Sequence, residues 1–360
     1  MKPGTKRLLN FLLIFGTFGI VLIISFQNHS VEEVIGAVRE LNLRWALMAA
    51  VCYLGFVLMD TVSIRYFLRR QGYRLTWRYG FFVSVAGQYY SNITPGATGG
   101  QPMQVYYLHK RYIPTGVATS ALVVRFFSFQ LMLSVVGTVL WIGYGPFVAE
   151  HVGGSRWLLI MGYAYNVISV SAVAMLSLWR EPVRKVVRLI VRLGSRLHLI
   201  KDAKESEQKW LGAVETFHDS IAILTGRPVD LLLQLFFGGL QVLSYMSIMY
   251  CIYRGLGLRE YRWGHLVTLH TMEYLSAAYA PLPGASGAQE GVFSLYFGQV
   301  FEGGAKLAAM MLWRFFTYYL SLVVGAIVMV GYGLWTGKSL KESVRMTSGS
   351  QDEMQDEHAA

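Results

Sequence analysis

Charge is scarce in this sequence. Only 15% of its 360 residues are Asp, Glu, Lys or Arg, against about 25% in a typical soluble domain, and 54% are hydrophobic. Long polar stretches are missing too: the longest, 180–227, falls short of the roughly 50 to 100 residues that an independent enzyme domain needs. Function is therefore expected within the membrane. Cysteine is nearly absent. Cys52 and Cys251 are the only two and both fall in apolar runs, which excludes a disulfide framework and a zinc spacing. Gly337-Lys338-Ser339 lacks the leading glycine of a phosphate loop because position 332 is Tyr332. Ser286 in Gly284-Ala285-Ser286-Gly287 lacks the last glycine of a nucleophile elbow, since Ala288 stands there. No helical metal motif occurs. The reading is thus of no catalytic residue, no metal and no cofactor, with energy from bound nucleotide unsupported.

Long apolar runs are plentiful. Stretches of roughly 20 residues, the length that crosses a hydrocarbon core of about 30 Å, recur at 8–26, 45–68, 116–144, 157–179, 229–253 and 305–335. They predict an all-α polytopic membrane protein with about six full spans in a single domain, 1–340. The formal charge of +11 would suit a nucleic-acid binder, but Lys and Arg of membrane proteins collect in cytoplasmic loops, and here the cations are in loops. No nucleic-acid partner is expected. Arg65, Arg69, Arg70, Arg74 and Arg78 occur without an acid, and 180–209 is rich in cations, so both segments belong in the cytoplasm. The connections 27–44 and 145–156 fit the outside. Lys2, Lys6 and Arg7 precede an apolar run without a small-x-small cleavage site, which reads as a retained first span with a cytoplasmic N-terminus. Lys338, Lys341 and Arg345 place the C-terminus on the same side. One loop disagrees, because Arg254, Arg259 and Arg262 would be external.

Within the linker 180–227, Arg184, Arg188, Arg192 and Arg196 recur every four residues, while Val183, Val187, Ile190, Leu193 and Leu197 share another face. Such a basic amphipathic helix, at 182–200, would lie on anionic lipid headgroups; the alternative is a solvated helix packed on other loops. The acidic tail 341–360 reads as disordered and cytoplasmic.

A duplication runs through the chain. Pro95-Gly96-Ala97-Thr98-Gly99-Gly100-Gln101 recurs as Pro283-Gly284-Ala285-Ser286-Gly287-Ala288-Gln289, and Arg125-Phe126-Phe127 recurs as Arg314-Phe315-Phe316. Upstream, Arg70-Gln71-Gly72 aligns loosely with Gly255-Leu256-Gly257, and Trp77 with Trp263. The first repeat covers about 45–145 and the second about 229–336. In each, an apolar run enters a break at Pro95, Gly96, Gly99 and Gly100, or at Pro283, Gly284 and Gly287, and a shorter stretch follows. Irregular backbone is not tolerated against lipid, so each break predicts a re-entrant helical hairpin covered by protein. The charge map orients the two hairpins oppositely, and inverted repeats with interrupted helices are a mark of alternating-access transporters. The alternative is that the breaks are kinks in ordinary spans.

Ionisable groups inside apolar spans are costly and carry a functional expectation. Asp60, Arg125, Glu273 and Arg314 are such groups, with His270 one turn from Glu273. A guanidinium suits a phosphate, so one arginine per repeat could receive a lipid headgroup; the alternatives are pairing with an acid or a carbonyl, or snorkelling. For Asp60 the options are pairing with Arg125, a proton relay or contact with a cationic headgroup. Gln101, Gln289 and Glu290 complete the candidate translocation site, and Glu290 could cap the helix after its break by charge. The Pro-Gly-Ala-Thr/Ser-Gly motif could itself cradle a phosphate. Tyr89, Tyr90, Tyr106, Tyr107, Tyr279 and Tyr296 read mostly as core or interface belt.

The residues from Pro95 to Gln101 with Tyr106-Tyr107-Leu108, and from Pro283 to Glu290 with Arg314, resemble the flippase-like integral membrane family that also forms the N-terminal half of the lysylphosphatidylglycerol synthases. The resemblance covers about residues 5–340. In two-part members, a membrane region moves aminoacylated phosphatidylglycerol outward, and a C-terminal cytosolic domain, not expected in this chain, transfers lysine from lysyl-tRNA. The resemblance implies translocation of an anionic or aminoacylated phospholipid, such as lysyl-phosphatidylglycerol, across a bacterial cytoplasmic membrane, with resistance to cationic antimicrobial peptides as the consequence. It implies phospholipids and a separate lipid-modifying enzyme as partners, and leaves oligomeric state open. It also implies roles for an acid in an early span and an arginine in the last, matching Asp60 and Arg314. Gln289-Glu290 stands where Arg-Glu is common. The alternatives are a phosphatidylglycerol lysyltransferase, the name family members often carry, and a small-solute secondary transporter.

Overall fold

A computed structural model describes residues 41–196, 203–277, 280, 283–301 and 304–332. The expected span at 8–26, the end of the basic helix beyond Arg196, Tyr279 and the tail 341–360 lie outside these. Every regular element among the described residues is helical. In chain order they are α1 (Leu43–Arg70), α2 (Trp77–Ile93), a 3-10 turn (Pro95–Ala97), α3 (Gly100–His109), α4 (Thr115–Gly143), α5 (Gly145–Val152) and α6 (Arg156–Leu178). There follow α7 (Arg180–Arg196), α8 (Ala203–Thr225), α9 (Pro228–Gly255), α10 (Trp263–Ala277), a second 3-10 turn (Pro283–Ala285), α11 (Ala288–Tyr296) and α12 (Gly304–Arg314). The last continues through a π-helical turn, Phe315–Tyr319, and on to residue 332.

Five of these helical stretches are long and apolar enough to cross a membrane: Leu43–Arg70, Thr115–Gly143, Gly145–Leu178, Pro228–Gly255 and Ala305–Tyr332. The third is longer than its apolar run suggested, because the polar connection 145–156 is itself helical in α5 and a short 3-10 turn. Exposed side chains on these helices are large and apolar at helical spacing, as in Leu47, Val51 and Leu54 on α1, Leu232, Phe236 and Leu240 on α9, and Val323, Ile327 and Val330 near the end. Apolar stripes of that kind suit lipid rather than water.

α1 and α9 lie antiparallel and carry a polar ladder along their seam. Cys52 Sγ is 3.9 Å from Cys251 Sγ, the Gln241 amide donates to Asp60 at 3.2 Å, Ser63 donates to Gln234 at 2.5 Å, and Arg70 meets Asp230 through two bonds of 2.7 Å. As one number rises the other falls, which fixes the direction. Asn42 N–H donates to Gly255 O at 2.9 Å, so the Arg254 end of α9 sits at the opposite end of the bundle from Arg69 and Arg70. The loop that breaks the charge pattern is therefore remote from the first basic segment. α8 sits at the Arg70 end: Gln71 donates to Ser220 O at 3.0 Å. There α7 packs on α8 with Val187 and Val191 buried, while Arg184 pairs with Glu181 and Glu215, Arg180 with Asp219, and Arg188 with Glu207.

The segments that begin at α1 and at α9 run through similar elements. α1 and α9 each close on a positive-φ glycine, Gly72 (86°) and Gly257 (81°). In both, the N–H of the next residue reaches back to a carbonyl five residues earlier, Tyr73 to Leu68 and Leu258 to Tyr253, which is the Schellman closure. Each is followed by a helix starting at a tryptophan, a 3-10 turn and a shorter helix packed against the first. The turns agree in backbone: Gly96 (φ 59°, ψ 24°) with Ala97 (φ 56°) in one, Gly284 (φ 58°, ψ 20°) with Ala285 (φ 50°) in the other.

Candidate functional site

The two 3-10 turns pack against each other, and a cavity of about 590 Å³ opens beside them. Gly96, Ala97, Thr98 and Gln101 reach it from the first hairpin, Gly284, Ala285 and Gln289 from the second, and Arg125 and Arg314 from the helices that follow. Residues far apart in sequence thus share one chamber because a duplicated turn meets its own copy. Its size is that of a pocket for a small ligand or a headgroup.

Each arginine is held by an acid, but not the same way. Arg125 pairs with Asp60, which is fully buried on α1 and also accepts from Gln241. Arg314 reaches the second turn: its Nε donates to Glu290 at 2.6 Å, and its Nη1 donates to Gln289 at 2.7 Å and to Gly284 O at 3.1 Å. Glu290 uses its other oxygen to accept from Gly287 N–H at 2.6 Å, closing the first turn of α11 as a cap. Asp60 and Arg314, though both in spans, are therefore not each other's partners. Arg125 Nε and Arg314 Nη2 are buried without a hydrogen-bond partner, while both side chains border the cavity.

The π-helical turn directly after Arg314 sets this geometry. Thr317 donates back to Trp313 O at 2.7 Å, and such turns recur at functional sites. Beyond it, Tyr318 donates to Asn92 O at 3.2 Å and the Asn92 amide donates to Ser321 Oγ, so one helix grips both hairpin tips. Tyr318 also lies on Gly284, where an added Cβ would come within 2.1 Å of the ring. Only glycine fits that close approach at a positive φ.

Four aromatic side chains form a closed ring on the cavity wall. Phe56 meets Tyr245 at 5.0 Å between centroids, Tyr245 meets Tyr274 at 5.7 Å, Tyr274 meets Phe129 at 6.4 Å, and Phe129 meets Phe56 at 6.2 Å. They come from α1, α9, α10 and α4, and their faces can hold a cation. Sequence reading missed these residues along with Gln88, Asn92 and Gln241, all of which line the cavity. A signal for Gln241 was present: Asp230, Gln234 and Gln241 fall on one face of an apolar helix.

Of the ionisable candidates, Asp60 and Glu290 stand behind the wall as partners of Arg125 and Arg314, and His270 and Glu273 do not border the cavity either. His270 is structural, accepting from Trp313 Nε1 at 2.9 Å through Nε2 and holding Met246 O at 3.0 Å through Nδ1. Glu273 is fully buried.

A comparison with family models matches residues 8–325 to the lysylphosphatidylglycerol synthase transmembrane region. The chain belongs to that family. A search of curated proteins gives no match. With its long apolar helices, this member of the lysylphosphatidylglycerol synthase transmembrane-region family is a multi-pass membrane protein. Gly96, Gly284, Arg125 and Arg314, which line its cavity, and Glu290, which holds Arg314, all fall within the matched stretch.

Proposed function

We propose that this protein translocates a phospholipid by alternating access of two inverted repeats, with the headgroup passing through the chamber between the hairpin tips. The observation that carries this reading is a cavity of about 590 Å³ walled by both turns and both arginines together. At 1.5 Å per residue, α10 is about 22 Å long and α11 about 14 Å, too short for a core of about 30 Å. This supports re-entrant hairpins. The antiparallel seam between α1 and α9, the matching first helices of the two repeats, supports a pseudo-twofold axis in the membrane plane near Val57 and Val242. The basic end of the bundle, with Arg69, Arg70, α7 and α8, is placed in the cytoplasm by the positive-inside rule, and α7 is expected to bind anionic headgroups through cations that its acidic neighbours leave free.

The headgroup chemistry follows from the walls. The two arginines that border the cavity receive a phosphate, and the four-ring wall receives an ammonium, a combination that suits an aminoacylated phosphatidylglycerol. The test is purified protein in proteoliposomes with fluorescent phosphatidylglycerol, lysyl-phosphatidylglycerol and phosphatidylethanolamine, each read by leaflet exchange. Lysyl-phosphatidylglycerol is expected to move fastest, and Arg314→Gln to abolish movement. If no lipid in the panel moves faster than in protein-free vesicles, the reading fails, and uptake of a soluble amino acid by the same vesicles would favour a small-solute transporter.

A further inference from the structure

Glu273 is the one carboxyl among the described residues that is fully buried with neither oxygen bonded. It sits on α10 one turn after His270, which accepts from Trp313 Nε1, the residue before Arg314, at 2.9 Å. Tyr245 of α9 packs on His270 and Tyr274, on either side of it, Tyr296 of α11 meets Ser276, and Glu290 of α11 is held by Arg314. Arg314, in turn, keeps a buried and unpartnered Nη2 while its other nitrogens hold the second hairpin tip. The other helices packed on α10 bring no charge to this point. α4 and α6 approach it through Gly137 and Gly162, which touch Leu275. α5 contributes His151, which stacks with Phe147 and Tyr261 beside His265, two turns of helix away. His270, on the same helix as Glu273, is tied to Trp313 and Met246.

An ionised carboxylate without hydrogen bonds in a dry interior is too costly to persist, and such groups take up a proton instead. A complementary guanidinium donor waits nearby. We propose that Glu273 is a proton-binding site that couples proton movement to transport: protonated, it leaves Arg314 on Glu290, Gln289 and Gly284; deprotonated, it draws Arg314 away and frees the tip. The proton leaves the carboxyl for cavity water and returns by the same route. Nothing is formed or broken but that O–H bond and hydrogen bonds of one guanidinium. This deepens the transport reading and rests on it.

Two measurements test it. The first needs no lipid movement: infrared difference spectra between neutral and alkaline buffer should contain a protonated carboxyl C=O band that Glu273→Gln removes and Glu290→Gln keeps. The second is lipid movement in proteoliposomes under an imposed pH gradient. The wild-type rate should follow the gradient, by up to about tenfold per pH unit as one titrating group allows, whereas Glu273→Gln, fixed in the neutral form, should keep slow gradient-independent exchange and lose the response. Lipid movement that ignores the gradient, or a band that persists in Glu273→Gln, overturns the proton site and leaves lipid translocation standing. Vesicles in which the wild type moves no lipid at all overturn the translocation reading and the coupling with it.

Discussion

Asp60 is fully buried, while Arg125 keeps 12% of its side chain exposed and borders the cavity. That difference makes the pair asymmetric. Removing the arginine strands a carboxylate in a dry seam, at a cost of about 3 to 5 kcal/mol; removing the acid leaves a guanidinium that cavity water can solvate. Arg125→Gln is therefore expected to lower the melting temperature in detergent clearly more than Asp60→Asn, with lipid movement lost in both. Equal losses, or the reverse order, would show that the chamber does not hydrate Arg125. The sequence made Arg125 and Arg314 look equivalent, since they head the same duplicated Arg-Phe-Phe. Pairing of Arg125 with Asp60 was among the options the sequence offered; the partner of Arg314 was not legible. The place in α9 that matches Asp60 is held by Tyr245, so the second repeat offers no acid there, and Arg314 turns to Glu290 of its own hairpin instead. Spacing along one helix says nothing about which neighbouring helix answers it.

At the scale of the element, the two 3-10 turns have the same dihedrals but different surroundings. Around Gly96 an added Cβ meets only Thr98 at 3.9 Å, whereas at Gly284 it would strike the Tyr318 ring at 2.1 Å. Gly96→Ala should cost only the left-handed strain of about 1 to 2 kcal/mol. Gly284→Ala adds overpacking of about 1 to 3 kcal/mol and displaces the ring that bonds Asn92, so it should melt earlier and move lipid more slowly. Matched melting curves for the two variants would mean that Tyr318 does not fix the tip. The turns themselves were legible because proline and glycine in that order specify a break. The π-helical turn at Phe315–Tyr319 was not, since no residue type there demands it. Likewise the arginine periodicity of α7 announced a helix, but not that acids of α8 would take up Arg180, Arg184 and Arg188.

Across the whole molecule, the spans and the duplication could be read from apolar runs and a repeated motif, because both are properties of one stretch of chain. The α1–α9 seam could not, because antiparallel pairing of two helices so far apart in sequence is a property of the packed bundle. That seam also separates two kinds of motion. In a repeat that rocks about an axis between α1 and α9, contacts near the axis change little, while the two tips must part to pass a headgroup. Cys52 and Cys251, 3.9 Å apart on the seam, and Ala97 and Ala285, one in each of the two packed turns, sample the two regions. Oxidising the native pair to a disulfide with copper phenanthroline should leave lipid movement within about twofold of the reduced protein, a change of about 0.4 kcal/mol in barrier. Ala97→Cys with Ala285→Cys, placed in a Cys52→Ser, Cys251→Ser background and bridged in the same way, should stop movement and recover it on reduction. Inhibition by the seam bridge, or free transport through bridged tips, would rule out rocking about α1 and α9 and require the headgroup to pass elsewhere.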